Sequence, residues 1–201
     1  MNARDEILSV IRMRKAGTIA RATRYRAADI IGPLDQQFAA RATSEAAEVR
    51  FLNRMEDVPA AIADVLRTRN MAATVYLPPD ARMDALPWSA GLAIEHTPPG
   101  PNDAALAFVP FAIAETGTLV YVSAPDAPPS WHFRPGLEIA VISANNILPQ
   151  LEDVLTRLKK RGRFASTVNL VTGPSRTGDI EQTLELGAHG PKALSILIVK
   201  E

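Results

Sequence analysis

The sequence contains no cysteine, so this chain can hold no disulfide, no thiolate nucleophile, no cysteine-ligated zinc and no iron-sulfur cluster of its own. Histidine is scarce as well. His96, His132 and His189 stand far apart in the chain, without the close pairing that local metal motifs use. Charge of one sign is not in excess, because 22 lysines and arginines face 22 aspartates and glutamates. A phosphate backbone draws proteins with a basic surplus, and nucleic acid is therefore not an expected partner. No apolar run reaches the roughly 18 residues of a membrane span, and the opening MNARDEILSVIRMRKAG has two acids and no signal-peptide core, which reads as a cytoplasmic chain. The Walker pattern GxxxxGK[ST], the dinucleotide pattern GxGxxG and the nucleophile elbow GxSxG are all missing. ATP, NAD and a hydrolase role for Ser175 are left without support.

What remains is a chain of 201 residues, 47% hydrophobic and 22% charged, long enough to bury a core unaided. The reading divides it into an N-terminal helix with a basic arm, residues 1–32, and a single α/β domain, residues 33–201. Ile7, Leu8 and Ile11 recur at helical spacing behind Asp5 and Glu6, giving a leading helix over residues 2–14. Arg12, Arg14, Lys15, Arg21, Arg24 and Arg26 follow with no acid between them, either to dock an acidic partner or to keep an arm solvated. A helix is expected after Pro33 and a strand over residues 47–52. Asp57 and Pro59 open a helix whose stripe is Ala61, Ile62, Val65 and Leu66. Short apolar runs at residues 73–77, 92–95, 105–109, 118–123, 138–142, 167–171 and 194–199 read as strands. A late helix, capped by Asn145 or Asn146 and stopped by Gly162, would carry Leu148, Leu151, Val154, Leu155 and Leu158 on one face. Buried-looking strands alternating with helices predict a three-layer α/β/α sandwich. The connection over residues 123–135, with Pro125, Pro128, Pro129 and Pro135, predicts an exposed arm bearing Trp131 and His132.

Two segments carry chemistry. In AETGTLVYV, a small turn of Glu115, Thr116, Gly117 and Thr118 feeds a strand. Gly117 allows a turn or a close backbone approach, and Glu115 offers a carboxylate as base or nucleophile, or simply as a hydrogen-bonded acid at a strand entrance. In TGPSRTGDIEQTLELGAHGP, residues 172–191, Gly173, Ser175, Arg176 and Thr177 precede Asp179, Glu181 and Gln182, a pattern that predicts a short helix capped by Asp179. Amides at its start, with Ser175, Arg176 and Thr177, would hold a phosphate or carboxylate. Alternatively Arg176 pairs internally with Asp179, Glu181 or Glu115 and the loop is merely rigid. His189, between glycines, could carry a proton or satisfy backbone groups at a turn.

These stretches, ETGTL at residues 115–119 and GPSRTGDIEQTLELGAHGP at residues 173–191, resemble signature segments of the LUD-domain family, in particular its LutC/YkgG-type members. The likeness is strong over residues 114–199 and loose before them. It implies a fold like that of the NagB/RpiA/CoA-transferase group and a role in oxidising L-lactate to pyruvate. It also implies LutA-type and LutB-type partner subunits that carry iron-sulfur clusters, with no cofactor in this chain. The arm SAPDAPPSWHFRPGLEIAV, with Trp131, His132 and Glu138, departs from the pattern, as does the arginine-rich tract. Three roles follow: a non-autonomous subunit of a lactate-oxidising complex; an independent enzyme of the sugar-phosphate isomerase or acyl-CoA transferase type, using Glu115 and an anion site around Arg176; or a homo-oligomeric structural protein.

Overall fold

The computed structural model describes residues 2–13, 30–88, 91–160, 165–178, 184–187 and 189–201. The basic residues from Arg14 to Arg26, the helix stop at Gly162, and Asp179, Glu181 and Gln182 lie outside the described residues.

The leading helix α1 (Ala3–Met13) forms where the apolar spacing places it, yet none of its residues is buried. Helix α2 (Leu34–Ser44) follows, then strand β1 (Glu48–Leu52) and helix α3 (Val58–Thr68). Asp57 stands at the start of α3 but makes no capping bond with its side chain. Its carboxylate faces Arg54 at 3.5 Å, and a single 3-10 turn over Met55–Asp57 leads into the helix instead. Strand β2 (Thr74–Tyr76), the one-turn helix α4 (Ala81–Asp84) and strands β3 (Ala93–Glu95) and β4 (Ala104–Phe108) complete the first half.

The second half opens with the hairpin β5 (Phe111–Ile113) and β6 (Thr118–Val122). The short helix α5 (Ser130–Phe133), strand β7 (Leu137–Ser143), the two-residue strand β8 (Ile147–Leu148) and helix α6 (Leu151–Lys160) come next. Strand β9 (Val168–Val171), the hairpin β10 (Arg176–Gly178) and β11 (Leu184–Leu186), and strand β12 (Ala193–Val199) end the chain.

Six strands make one sheet in the order β1-β12-β7-β4-β2-β3, every pairing parallel. Its centre includes the pair LEIAVIS and ALSILIV, apolar on both faces apart from the buried Glu138 and Ser195, as a covered parallel sheet requires. One face, with Leu137, Ile139, Val141 and Leu197, packs under α3 through Val58, Ile62, Val65 and Leu66. The other face, with Ala140, Ile142, Ile196 and Ile198, meets Phe38 and Ala42 of α2 together with Leu119 and Tyr121 of a second sheet. That second sheet has the order β8-β5-β6-β9, and α6 lies beyond it, with Val154 packed among Phe111, Ile113 and Val120. The expected α/β architecture with a central parallel sheet is present. One of its outer layers is a helix combined with a small mixed sheet, and the alanines at 107, 112, 114 and 140 are the small residues in the core between the two sheets.

Two local expectations are overturned. Asn145 and Asn146 do not cap the late helix: they form a 3-10 turn, Leu148 belongs to β8, and α6 begins two residues after Pro149, whose ring cannot continue a helix from its predecessor. The proline-containing arm is not exposed at its centre, since Trp131 and His132 are both buried. On either side of the predicted helix start, which lies outside the described residues, strands β10 and β11 pair antiparallel, with Arg176 opposite Leu186 and Thr177 opposite Glu185.

Candidate functional site

The two chemistry-bearing segments sit at neighbouring strand ends. Strand β6 pairs antiparallel with β9, Leu119 opposite Val171, which brings Thr118 beside Thr172. A chain of hydroxyls results, Thr116 to Thr118 at 2.6 Å and Thr118 to Thr172 at 2.7 Å. Both segments also rest on the end of α2. Gly117 has φ +69°, and a Cβ there would stand 2.5 Å from the Ala42 amide nitrogen. Gly173 has φ +77°, and its Cβ would stand 2.3 Å from the Glu45 carbonyl oxygen. These glycines are needed because the chain turns left-handed against a helix terminus.

Beyond Gly173, the loop Pro174–Ser175 is tied to the segment before β12. The Ser175 amide donates to the Pro191 carbonyl at 2.9 Å, the Gly187 amide donates to the Ser175 carbonyl at 3.1 Å, and the His189 amide donates to the Ser175 hydroxyl at 3.3 Å. The two loops enclose an open cleft of about 280 Å³, with Gly173, Ser175, Arg176, His189 and Gly190 on its walls and Phe133 from the arm closing one side. Arg176 is exposed, and among the described residues no carboxylate forms an ion pair with it. A fixed hydroxyl, an exposed guanidinium and an imidazole at one concave surface suit a small anion.

The predicted site residues therefore divide. Gly173, Ser175, Arg176 and His189 line one cleft, while Glu115, Thr116, Gly117 and Thr118 do not line it. Thr177 follows Arg176 on β10, and Asp179 and Glu181 fall outside the described residues. Sequence reading missed Phe133, Thr172 and Pro191 as cleft residues. Thr172 and Pro191 were visible as the ends of the glycine-rich segment, but nothing in the arm's composition pointed Phe133 at it.

What holds Phe133 there is a buried polar cluster. Glu138, on the central strand β7, is fully buried, and His132 beside it is 4% exposed. Their Oε1 and Nδ1 lie 3.2 Å apart. The Tyr121 ring packs on the His132 ring at a 40° tilt, with centroids 4.0 Å apart. Burial first, and the Glu138 charge second, push the Tyr121 hydroxyl well above its ordinary value. The Tyr121 hydroxyl and Glu138 Oε2 have no hydrogen-bond partner among the described residues. An acid on a central strand thus fastens the arm, and Phe133 follows His132 to the cleft wall.

Among the described residues there is no group of three or more His, Asp or Glu side chains able to hold a metal ion, and no helix is long and apolar enough to cross a membrane.

Residues 101–199 match the LUD domain family model. All residues lining the cleft fall inside this span. The chain is 31% identical over 100 residues to a lactate utilization protein C of Geobacillus kaustophilus, a match covering 48% of this chain and 42% of that protein. It is 32% identical over 100 residues to the protein of the same name from Bacillus subtilis, with the same coverage. The match thus spans less than half the length of these relatives. Among solved structures, a DUF162 family protein from Deinococcus radiodurans superimposes with a TM-score of 0.61 at 20% identity, covering 83% of this chain and 96% of that one, which establishes a shared fold. Over residues 101–199 this chain is similar to the LUD domain family.

Proposed function

We propose that this chain acts in lactate utilisation as a cytoplasmic, non-autonomous subunit, working beside LutA-type and LutB-type iron-sulfur proteins in the oxidation of L-lactate to pyruvate. The observation that carries the reading is the placement of the whole cleft, from Phe133 to Pro191, within the span shared with the LUD domain. In this reading residues 33–201 are the working domain and residues 1–32 an arm. Electron transfer belongs to the partners, because a chain without cysteine has no ligands for a thiolate-held cluster. The cleft holds a small carboxylate or phosphate against Arg176, with Ser175 and His189 beside it.

The independent isomerase or transferase reading asks Glu115 and Arg176 to face one bound molecule. Glu115 lies outside the cleft, so the structure gives that reading no support. The test is purification of the tagged protein from its native cells, with lactate-dependent dye reduction assayed in the co-purifying fraction and in the isolated chain. Co-purified iron-sulfur proteins, and an activity lost when this chain is depleted, are expected. Activity from the isolated chain would overturn the subunit reading.

A further inference from the structure

A second crevice lies away from the cleft just described, where the strands of the parallel sheet end. In a parallel sheet all carboxyl ends point the same way, and the segments that follow them converge on whatever gap the topology leaves. Here four such segments meet. Met55 follows β1, Arg82 follows β2, Phe108 and Val109 end β4, and Ser143 and Asn146 follow the run of β7, with Val141 as floor. They enclose about 170 Å³, well under the roughly 300 Å³ at which pockets for larger ligands begin.

The lining is mostly apolar, with one organised cation. Asp80, 4% exposed, accepts from the Arg82 amide at 3.0 Å and from Nε at 2.9 and 3.1 Å. The guanidinium carbon sits 5.1 Å from the Phe108 ring centroid. Arg82 is therefore fixed on one edge and across one face before any ligand arrives, and no described residue takes its Nη1. The Asn146 amide is half-buried and makes no side-chain hydrogen bond among the described residues. A single free guanidinium edge already balanced by Asp80 suits one negative charge and disfavours two.

We propose that this crevice binds a small monocarboxylate with a short apolar body, its carboxylate on Arg82 Nη1 and the Asn146 amide, its carbons against Met55, Phe108 and Val141. This inference is independent of the lactate reading, which rests on the other cleft. The test is titration of the isotopically labelled full chain with sodium propionate, followed by amide chemical shifts, with propionamide as the uncharged probe and inorganic phosphate as the dianion. Saturable shifts at Met55, Phe108 and Asn146 are expected with affinity on the order of millimolar, with propionamide and phosphate at least about tenfold weaker.

Arg82→Lys keeps a cation for Asp80 and loses the fork, and should weaken propionate about tenfold or more. Shifts confined to Ser175 and Gly190, equal binding of propionamide, or no saturable shift into the tens of millimolar would each overturn the proposal.

Discussion

Gly173 and Gly117 are glycines because α2 ends against them, and replacing either by alanine tests that cause. At Gly173 the added methyl would meet the Glu45 carbonyl oxygen at 2.3 Å with φ at +77°, and at Gly117 the Ala42 nitrogen at 2.5 Å with φ at +69°. The left-handed conformation alone costs an alanine about 1–2 kcal/mol. The contacts are with backbone, which cannot rotate away, and overpacking of this kind adds about 1–3 kcal/mol. A loss of about 3 kcal/mol follows, or about 6–12 °C in Tm for a domain of this size. Gly91 supplies the control: its Cβ would meet nothing within 4 Å and its φ is not positive, so Gly91→Ala should shift stability by less than about 1 kcal/mol, if anything upward. The assay is thermal and urea denaturation of the three variants beside the parent protein. If Gly173→Ala kept full stability while losing anion binding, the glycine would be serving a ligand and the packing argument would fail.

Other outcomes follow from the same geometry. His132→Ala leaves the fully buried Glu138 carboxyl unpaired and should cost about 3 kcal/mol, with faster amide exchange across the arm. The double change His132→Phe with Glu138→Leu should restore most of that stability, and failure to do so would show that the polar pair is more than a fastening. Asp80, Glu48 and Asp64 all sit below the ordinary carboxylate value in the fold. Burial raises Asp80 and Glu48, but the Arg82 bonds outweigh it at Asp80 and the Arg50 and Arg69 bonds at Glu48, while Arg50 and Arg67 hold Asp64 down. The unfolded chain therefore takes up protons first as pH falls, and the stability these groups supply, present above their unfolded values near pH 4, is lost progressively below them. Tyr121 runs the other way: its raised value keeps the phenol neutral in the fold, so its contribution is intact below about pH 10 and declines above it. Urea midpoints measured across pH check both limbs, and a flat profile below pH 4 would contradict the carboxylate assignments. Arg176→Ala should weaken carboxylate or phosphate binding in the cleft by about 1–3 kcal/mol, read by calorimetry.

The inner strands β4, β7 and β12 of the parallel sheet were legible as short, mostly apolar runs, the pattern of a strand buried on both faces, and β1 was legible from the alternation of Val49 and Phe51. Helix α3 was legible from its stripe and Pro59. The second sheet was not. Phe111–Ile113 and Ile147–Leu148 are too short to show a period, and only the pairing of β6 with β9 makes a sheet around them. Strands β10 and β11 were not legible for a related reason. Each is three residues long, and their pairing depends on Leu186 returning opposite Arg176, which no local signal announces. The arm was read as exposed because proline excludes regular structure; His132 is instead buried against Glu138, several residues further on. In the candidate site, the spacing of glycine, serine, arginine and histidine pointed to Gly173, Ser175, Arg176 and His189. Whether Glu115 joined them depended on topology, which places its turn outside the cleft walls.

Growth on L-lactate as sole carbon source puts the functional reading at risk. The strain lacking this gene should fail on lactate and grow normally on glucose, and the parent sequence and Gly91→Ala should restore growth. Arg176→Glu, a charge reversal at an exposed cleft residue, should fold and fail to restore it. Normal lactate growth of the deletion strain, or full rescue by Arg176→Glu, would contradict the role assigned to this chain and its cleft.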